Sequence, residues 1–168
     1  MIATSHVLIS GAVGVAVGSV TKNPAAALVA GLATHLLCDM LPHLDSPPNI
    51  KFNKDGEAVW DRGLYIFAIT DSLIALIAVL LIWYFKFKFF YFSPFAWGAF
   101  GGYLPDLIDN FPLWRDAVHQ TPVFKQFHEF HLWIHDNWRR YYPMPQYWVL
   151  GILTQIVTVV PSLWFLLK

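Results

Sequence analysis

The sequence predicts an all-α integral membrane bundle of about five transmembrane helices, with one further amphipathic helix at the interface. Of the 168 residues, 57% are hydrophobic and 13% are charged, whereas soluble domains carry about 25% charged residues. Five apolar stretches follow one another along the chain. The longest exceed the length of about 20 residues that crosses a hydrocarbon core about 30 Å thick. We therefore expect a single membrane domain over residues 1–168.

Each predicted span is an apolar stretch bounded by polar or turn-forming residues. Residues 64–85 have Asp71 as their only charge, and residues 145–167 have no charge. The first two spans are joined by a short turn that ends at Pro24, which predicts a tight hairpin. Small residues four apart in these two spans predict close helix contacts. The five spans are residues 6–20, 25–41, 64–85, 92–108 and 145–167.

Two polar connections, residues 42–62 and 110–144, separate the spans. Within the second, residues 123–138 have helical periodicity and many aromatic side chains, which favours a helix lying at the membrane interface. Alternate threading of five spans places both connections and the first residues on one side of the membrane. Every candidate ligand of the chain then lies on or near that side.

Composition excludes several classes of function and favours a metal site. Eleven Lys and Arg balance eleven Asp and Glu, so no basic surplus is present to neutralise nucleic-acid phosphates. The only cysteine, Cys38, excludes a disulfide framework and a Cys-rich zinc module. The acidic residues are nine Asp and two Glu, and there are seven His. An apolar chain whose polar residues are enriched in Asp and His favours metal binding.

The strongest local motif joins His35 to Asp39 near the end of the second span. Residues four apart point the same way from a helix, as a chelating pair must. Pro42 then ends the helix and lets His43 and Asp45 fold back. Imidazole and carboxylate ligands together suit zinc, manganese or iron. The alternative is a His–Asp hydrogen bond that only satisfies two polar groups inside the membrane.

Two further motifs place ligand-type residues on one side of a helix. Asp106 and Asp109 are three residues apart, and two unpaired carboxylates repel each other unless a cation lies between them; their alternative role is solvation of a helix end. His128, His131 and His135 fall within an arc of about 60°. They can bind metal or act as acid and base, or lie at headgroup level on an interfacial helix.

Three isolated residues complete the candidate set. A lone carboxylate at Asp71 costs about 2.5–3.5 kcal/mol in a membrane, which a metal would offset; the alternative is a protonated Asp bonded within the bundle. His6 follows Thr4-Ser5 at the start of the first span, where Ser5 can simply cap the helix. His119 would face away from the other histidines on a continuous helix, so we expect it at the surface.

Short motifs resemble a known family. Thr4-Ser5-His6, the Thr34-His35-x-x-x-Asp39 step and the Leu104-Pro105-Asp106-x-x-Asp109 step resemble the predicted membrane-bound metal-dependent hydrolases of bacteria, named after an inner-membrane protein of the SOS regulon. More distantly they resemble zinc-dependent phospholipases C. The resemblance covers the first 110 residues and implies a metal-dependent hydrolase of the bacterial inner membrane. Where the family has a His-Arg-Gly-x-Thr-His-Ser segment, this chain has Asp61-Arg62-Gly63 and Thr70-Asp71-Ser72, without histidine.

From these observations we expect a membrane-embedded hydrolase of a lipid-borne ester, above all a phosphoester, that uses two or more divalent ions. Zinc is the first choice, and manganese or iron are alternatives. The membrane lipid is both environment and substrate, and the oligomeric state is left open. The rival classes are ion handling without catalysis and a structural helical scaffold. The expected metal ligands are His6, His35, Asp39, Asp71, Asp106, Asp109 and His128; the expected acid–base groups are His43, Asp45, His131 and His135.

Overall fold

A computed structural model shows an all-helical protein, as the sequence predicts. It describes residues 1–44, 51, 59–88, 93–111, 113–139 and 146–168. Within these ranges the chain forms helices and no strand. The helices are α1 (Ala3–Thr21), α2 (Pro24–Asp39), α3 (Arg62–Phe87), α4 (Pro94–Asp109), α5 (Arg115–Val118), α6 (Pro122–Arg139) and α7 (Gln146–Leu167).

The hairpin between α1 and α2 forms where the sequence predicts it. Lys22 ends α1 in the left-handed conformation with φ of 55°, and its N–H donates to the Gly18 carbonyl. Asn23 then caps α2, because its side chain accepts a hydrogen bond from the Ala25 N–H at 2.9 Å. Pro24 occupies the first turn of the new helix, where a missing N–H is harmless.

Helices α1, α2 and α4 form the tightly packed centre of the bundle. Glycines at the crossing points allow their backbones to approach closely. A Cβ atom on Gly14 of α1 would lie 2.6 Å from the Cα of Gly98 in α4, and a Cβ on Gly31 of α2 would collide with the Gly98 carbonyl. Phe95 of α4 is fully buried against Gly11 of α1. This packing fixes the ends of α2 and α4 relative to the start of α1.

Helices α3 and α7 flank α1 and expose apolar surface. In α3, Leu73 and Ile77 are each more than half exposed, as are Val157 and Trp164 in α7. Three helical segments are long and apolar enough to cross a membrane: Ala3–Thr21, Arg62–Phe87 and Trp148–Leu167. The predicted count of five spans is not confirmed. Helices α2 and α4 have 16 residues each, about 24 Å at 1.5 Å per residue.

Most of the described residues in the second polar connection are helical. Pro122 begins α6, which covers the predicted helical segment 123–138, and the separate four-residue helix α5 precedes it. Helix α6 packs against the ends of α2 and α4. It thereby carries its histidines to the end of the bundle at which α1 begins.

Candidate metal centre

One end of the bundle gathers all seven histidines of the chain around three aspartates. Helix α1 contributes one histidine at its start, and α2 contributes a histidine and an aspartate at its end. Helix α4 contributes two aspartates from its last turn, and α6 contributes three histidines. Two further histidines follow α2 and α5. The set is His6, His35, Asp39, His43, Asp106, Asp109, His119, His128, His131 and His135.

The fully buried carboxylate of Asp39 is the centre of this cluster. Its Oδ2 lies 2.9 Å from His35 Nε2 and 3.1 Å from His131 Nε2, while its Oδ1 lies 3.1 Å from His6 Nε2. Two more imidazoles face it less closely, with Nε2 of His135 at 3.4 Å and Nε2 of His43 at 3.6 Å. Five Nε2 atoms from four segments of the chain therefore converge on one carboxylate.

The Met1 amino nitrogen also donates to Asp39 Oδ1, at 2.8 Å. The carboxylate thus has close polar contacts on both of its oxygens. The Met1 ammonium therefore places a positive charge beside this buried carboxylate.

The other ring nitrogens of two histidines are held by backbone carbonyls. His35 Nδ1 donates to the Gly102 carbonyl and His43 Nδ1 donates to the Leu41 carbonyl, both at 2.7 Å. A carbonyl only accepts hydrogen bonds, so the proton of the neutral ring must be on Nδ1. The Nε2 lone pair of each ring is then directed into the cluster. Metal-binding histidines are oriented and fixed in one tautomer by such contacts.

His131 lies between two carboxylates. Its Nε2 is 3.1 Å from Asp39 Oδ2, and its Nδ1 donates to Asp109 Oδ2 at 2.9 Å. Burial lowers the pKa of His131, but the hydrogen bonds to Asp109 and Asp39 outweigh that effect and raise the pKa to about 10. Its Nε2 is also 3.3 Å from Nε2 of His35. Without a metal, a proton must occupy this space, because two lone pairs cannot face each other so closely.

His135 has the opposite protonation preference. Burial lowers the pKa of His135 to about 4, although Asp39 opposes this change. The ring is therefore neutral at pH 7, which is the state in which a histidine binds metal. It packs edge to face on the His43 ring with centroids 5.1 Å apart.

Among the described residues, four sets of three side chains place ligand atoms within 4.8 Å of one another and could hold a metal ion. Three of these sets overlap around Asp39 and its neighbours, and we call them the inner cluster. The fourth, which we call the outer cluster, is Asp109 with His119 and His128. The inner sets are His6, His35 and Asp106; His35, Asp39 and His131; and Asp39, His43 and His135.

The outer cluster is built on one oxygen of Asp109. His119 Nε2 lies 2.8 Å from Asp109 Oδ1, and His128 Nδ1 lies 2.9 Å from the same atom. The two rings stack with centroids 3.9 Å apart. Their side chains are 18% and 12% exposed, so this cluster is closer to solvent than the inner one. Asp109 also holds His131 and so connects the two clusters.

His119 belongs to the outer cluster, although the sequence predicts it at the surface. That expectation assumed one helix running back from His128. The structure instead ends α5 at Val118 and begins α6 at Pro122, so His119 lies in the turn between them. The signal was present in the sequence, because proline at the first helical position marks a new helix. The turn aims His119 back at Asp109.

Asp106 and Asp71 have different surroundings. Asp106 belongs to an inner set with His6 and His35, and Asn110 Nδ2 donates to its Oδ1 at 3.0 Å. Asp71 lies outside all four sets. Its carboxylate instead accepts from the Ala3 and Thr4 N–H groups and, at 2.6 Å, from Thr4 Oγ1.

The contacts of Asp71 account for a charged residue within an otherwise apolar helix. The first N–H groups of a helix have no partner within the helix and carry partial positive charge. Asp71 satisfies them for α1 from the neighbouring helix α3, so the expected metal ligand serves here as a cap. Asp45, an expected acid–base group, lies outside the described residues.

Comparisons with protein-family models, with curated proteins and with solved structures give no match to this chain.

Proposed function

We propose that this protein is a membrane-embedded metal-dependent hydrolase that acts on a lipid-borne phosphoester. The observation that carries the proposal is the inner cluster, in which five Nε2 atoms converge on Asp39 while two of the rings give their other N–H to backbone carbonyls. That arrangement presents lone pairs and carboxylate oxygens to a common space. A divalent cation neutralises the carboxylates there and replaces the protons that the same atoms would otherwise share.

The donor set suits zinc best. Imidazole nitrogens outnumber carboxylates in the inner cluster, and His-rich sites with one or two carboxylates are typical of zinc, with manganese or iron as alternatives. The single cysteine, Cys38, is a buried core residue packed with Met1 and Ile9. The inner and outer clusters together give room for two or more ions, which is the stoichiometry expected from the sequence.

The residues of the inner cluster divide into metal ligands and proton-transfer groups. His6, His35, Asp39, His131 and Asp106 surround the centre and would hold the metal. A bound divalent metal lowers the pKa of water and polarises a phosphoryl oxygen. His43 and His135 lie farther from Asp39, with Nε2 at 3.6 and 3.4 Å from its oxygens. They are placed to take a proton from water or to protonate a leaving group.

The surroundings favour a lipid as the substrate. Among the described residues, three helices are long and apolar enough to cross a membrane, and the cluster lies at the end of the bundle where α1 begins. We propose that α2 and α4 complete a five-helix membrane bundle and that α6 lies at the interface. A headgroup at the membrane surface then reaches the cluster. With the family resemblance described above, this points to the bacterial inner membrane and to a phospholipid or isoprenoid phosphate.

The first test is metal content of the detergent-purified protein, measured by elemental mass spectrometry. The native chain is expected to bind two or more equivalents of zinc, manganese or iron. The double variant His35→Ala/Asp39→Ala is expected to lose the inner metal. Asp116→Asn is the matched control, since its side chain is 81% exposed and pairs only with Arg115 among the described residues. A folded native protein that stays metal-free after zinc is supplied would favour the scaffold alternative.

The second test is hydrolysis of phospholipid and isoprenyl phosphate vesicles by the metal-loaded protein. Release of the phosphate-bearing product is expected to stop on chelation and to return with zinc. His135→Ala is expected to keep metal at the inner cluster and to lose about one hundredfold in rate, the lower end of the range for a general acid–base group. Full activity in either the His35→Ala or the Asp39→Ala single variant would contradict the assignment.

A further inference from the structure

An apolar groove runs along the outside of the bundle between α3 and α4. Its cavity volume is about 380 Å³, which lies within the range of about 300–1,000 Å³ typical of small-molecule sites. Helix α3 lines it from Ser72 to Trp83, a length of about 16 Å at 1.5 Å per residue. Helix α4 lines the opposite wall from Ala96 to Tyr103, and Val7 of α1 forms part of its floor. The groove is therefore long, narrow and hydrophobic.

One end of the groove is polar and adjoins the metal cluster. There the Tyr103 hydroxyl donates to Ser72 Oγ at 3.0 Å. Tyr103 precedes Asp106 of the inner cluster by one helical turn. Val7, in the groove floor, directly follows the fully buried His6. A molecule lying in the groove would thus have its polar end at Tyr103, one turn of α4 from Asp106, and its remaining length among apolar side chains.

The far end and the outer face of the groove are apolar. Trp83 of α3 and Trp97 of α4 lie at the far end. In α3, Ile77 and Leu81 are each about half exposed beside the groove. Helix α3 is long and apolar enough to cross a membrane, so this face meets hydrocarbon rather than water.

We propose that this groove holds a single hydrocarbon chain of the lipid substrate, with the phosphoester head at the metal cluster. The proposal rests on the proposed hydrolase function and adds how the substrate is bound. Apart from the hydroxyls of Ser72 and Tyr103 at one end, the lining is mostly apolar. An extended alkyl chain with a polar head fits this pattern and the volume of the groove.

The binding test uses a long-chain alkyl phosphoester that carries a photoreactive diazirine in its chain. In detergent-purified protein, labelling is expected within residues 72–83 and 96–103, mapped by peptide mass spectrometry. Val79→Trp and Ala96→Trp place a large ring in the groove at half-buried positions and are expected to lose most of that labelling. Leu81→Trp, on the exposed face of the same helix, is the control and is expected to label normally.

The kinetic test compares a long-chain phosphoester with a short, water-soluble one. Val79→Trp is expected to raise KM for the long-chain ester about tenfold, since excluding two methylenes is worth about that factor. Its kcat/KM for the soluble ester should stay at the native value, and its metal content should not change. A purely structural defect would lower both activities together.

The outcomes separate the groove from the proposed function. If the metal-loaded native protein hydrolyses neither ester, the hydrolase proposal fails. The labelling map of the native protein still shows whether an alkyl chain binds in the groove. Labelling spread evenly over the exposed faces of α3 and α7 would overturn the groove proposal. So would normal groove labelling in both tryptophan variants. Cross-links between two protein chains at these residues would show that a second copy occupies the groove.

Discussion

At the scale of single residues, the second ring nitrogen fixes the orientation of several buried histidines. Here His35 and His43 each use Nδ1 for a backbone carbonyl and turn Nε2 towards Asp39. His131 uses both nitrogens for carboxylates. The rings are therefore oriented before any cation arrives, which is how outer contacts tune metal ligands.

Replacing Asp71 by Ala tests its role as a cap. The variant loses the acceptor for the first N–H groups of α1 and should be less stable by about 0.5–2 kcal/mol, the usual effect of a lost helix cap. Its metal content should equal that of the native protein. Thermal unfolding and elemental analysis of the same preparation check both expectations. Loss of metal without loss of stability would show that Asp71 is a metal ligand rather than a helix cap.

Replacing His119 by Ala tests whether the outer cluster binds its own ion. The ring provides one of the two nitrogens beside Asp109 Oδ1. We expect the variant to lose one equivalent of metal and to keep the ion of the inner cluster, because His119 has no place in the inner sets. Elemental analysis gives the stoichiometry, with Asp116→Asn as the control. An unchanged stoichiometry would mean that the outer cluster is a hydrogen-bond network.

At the scale of helices, glycine contacts decide how closely the ligands approach. The close packing of α4 on α1 and α2 at Gly14, Gly31 and Gly98 brings the Gly102 carbonyl to hydrogen-bond distance of His35. The same approach places the end of α4 beside the end of α2. Helix packing through small residues therefore serves the site as well as stability.

Gly98→Leu is expected to separate these helices. The added side chain would meet the Ser10 carbonyl and the Gly14 backbone, and overpacking of this kind costs about 1–3 kcal/mol. We expect a lower unfolding temperature and weaker metal binding, since the ligands of α2 and α4 no longer meet. Gly63→Ala is the control, because its added methyl would meet only Asp61 Oδ1, at 3.2 Å. Native metal affinity in the Gly98→Leu variant would show that metal binding does not depend on this close helix packing.

At the scale of the whole molecule, the cluster joins segments that are distant in the chain. His6 and His135 are separated by most of the sequence, and both face Asp39. A cation bound here links α1, α2, α4 and α6 in the folded state. Because a ligand that binds only the folded state stabilises it, metal binding and stability must be coupled.

Zinc is therefore expected to stabilise the protein against thermal unfolding. At a free concentration of one hundred times Kd, the gain is about 2.7 kcal/mol for one site. Chelation should lower the unfolding temperature and zinc should restore it. The His35→Ala/Asp39→Ala variant should show a smaller response, limited to the outer cluster. An equal response in native protein and variant would place the stabilising zinc elsewhere.

Local sequence patterns are enough to predict the helical class, the bounds of most helices and the spacing that pairs His35 with Asp39. These properties depend on apolar periodicity and on residues one helical turn apart, which are local. Only the tertiary structure decided that Asp71 caps α1, that His119 joins Asp109, and that the candidate ligands divide into two clusters. Those outcomes depend on helix packing and on the break before Pro122. The contacts concerned join residues far apart in the chain, such as Asp39 and His131, which are 92 positions apart, and no local pattern encodes them.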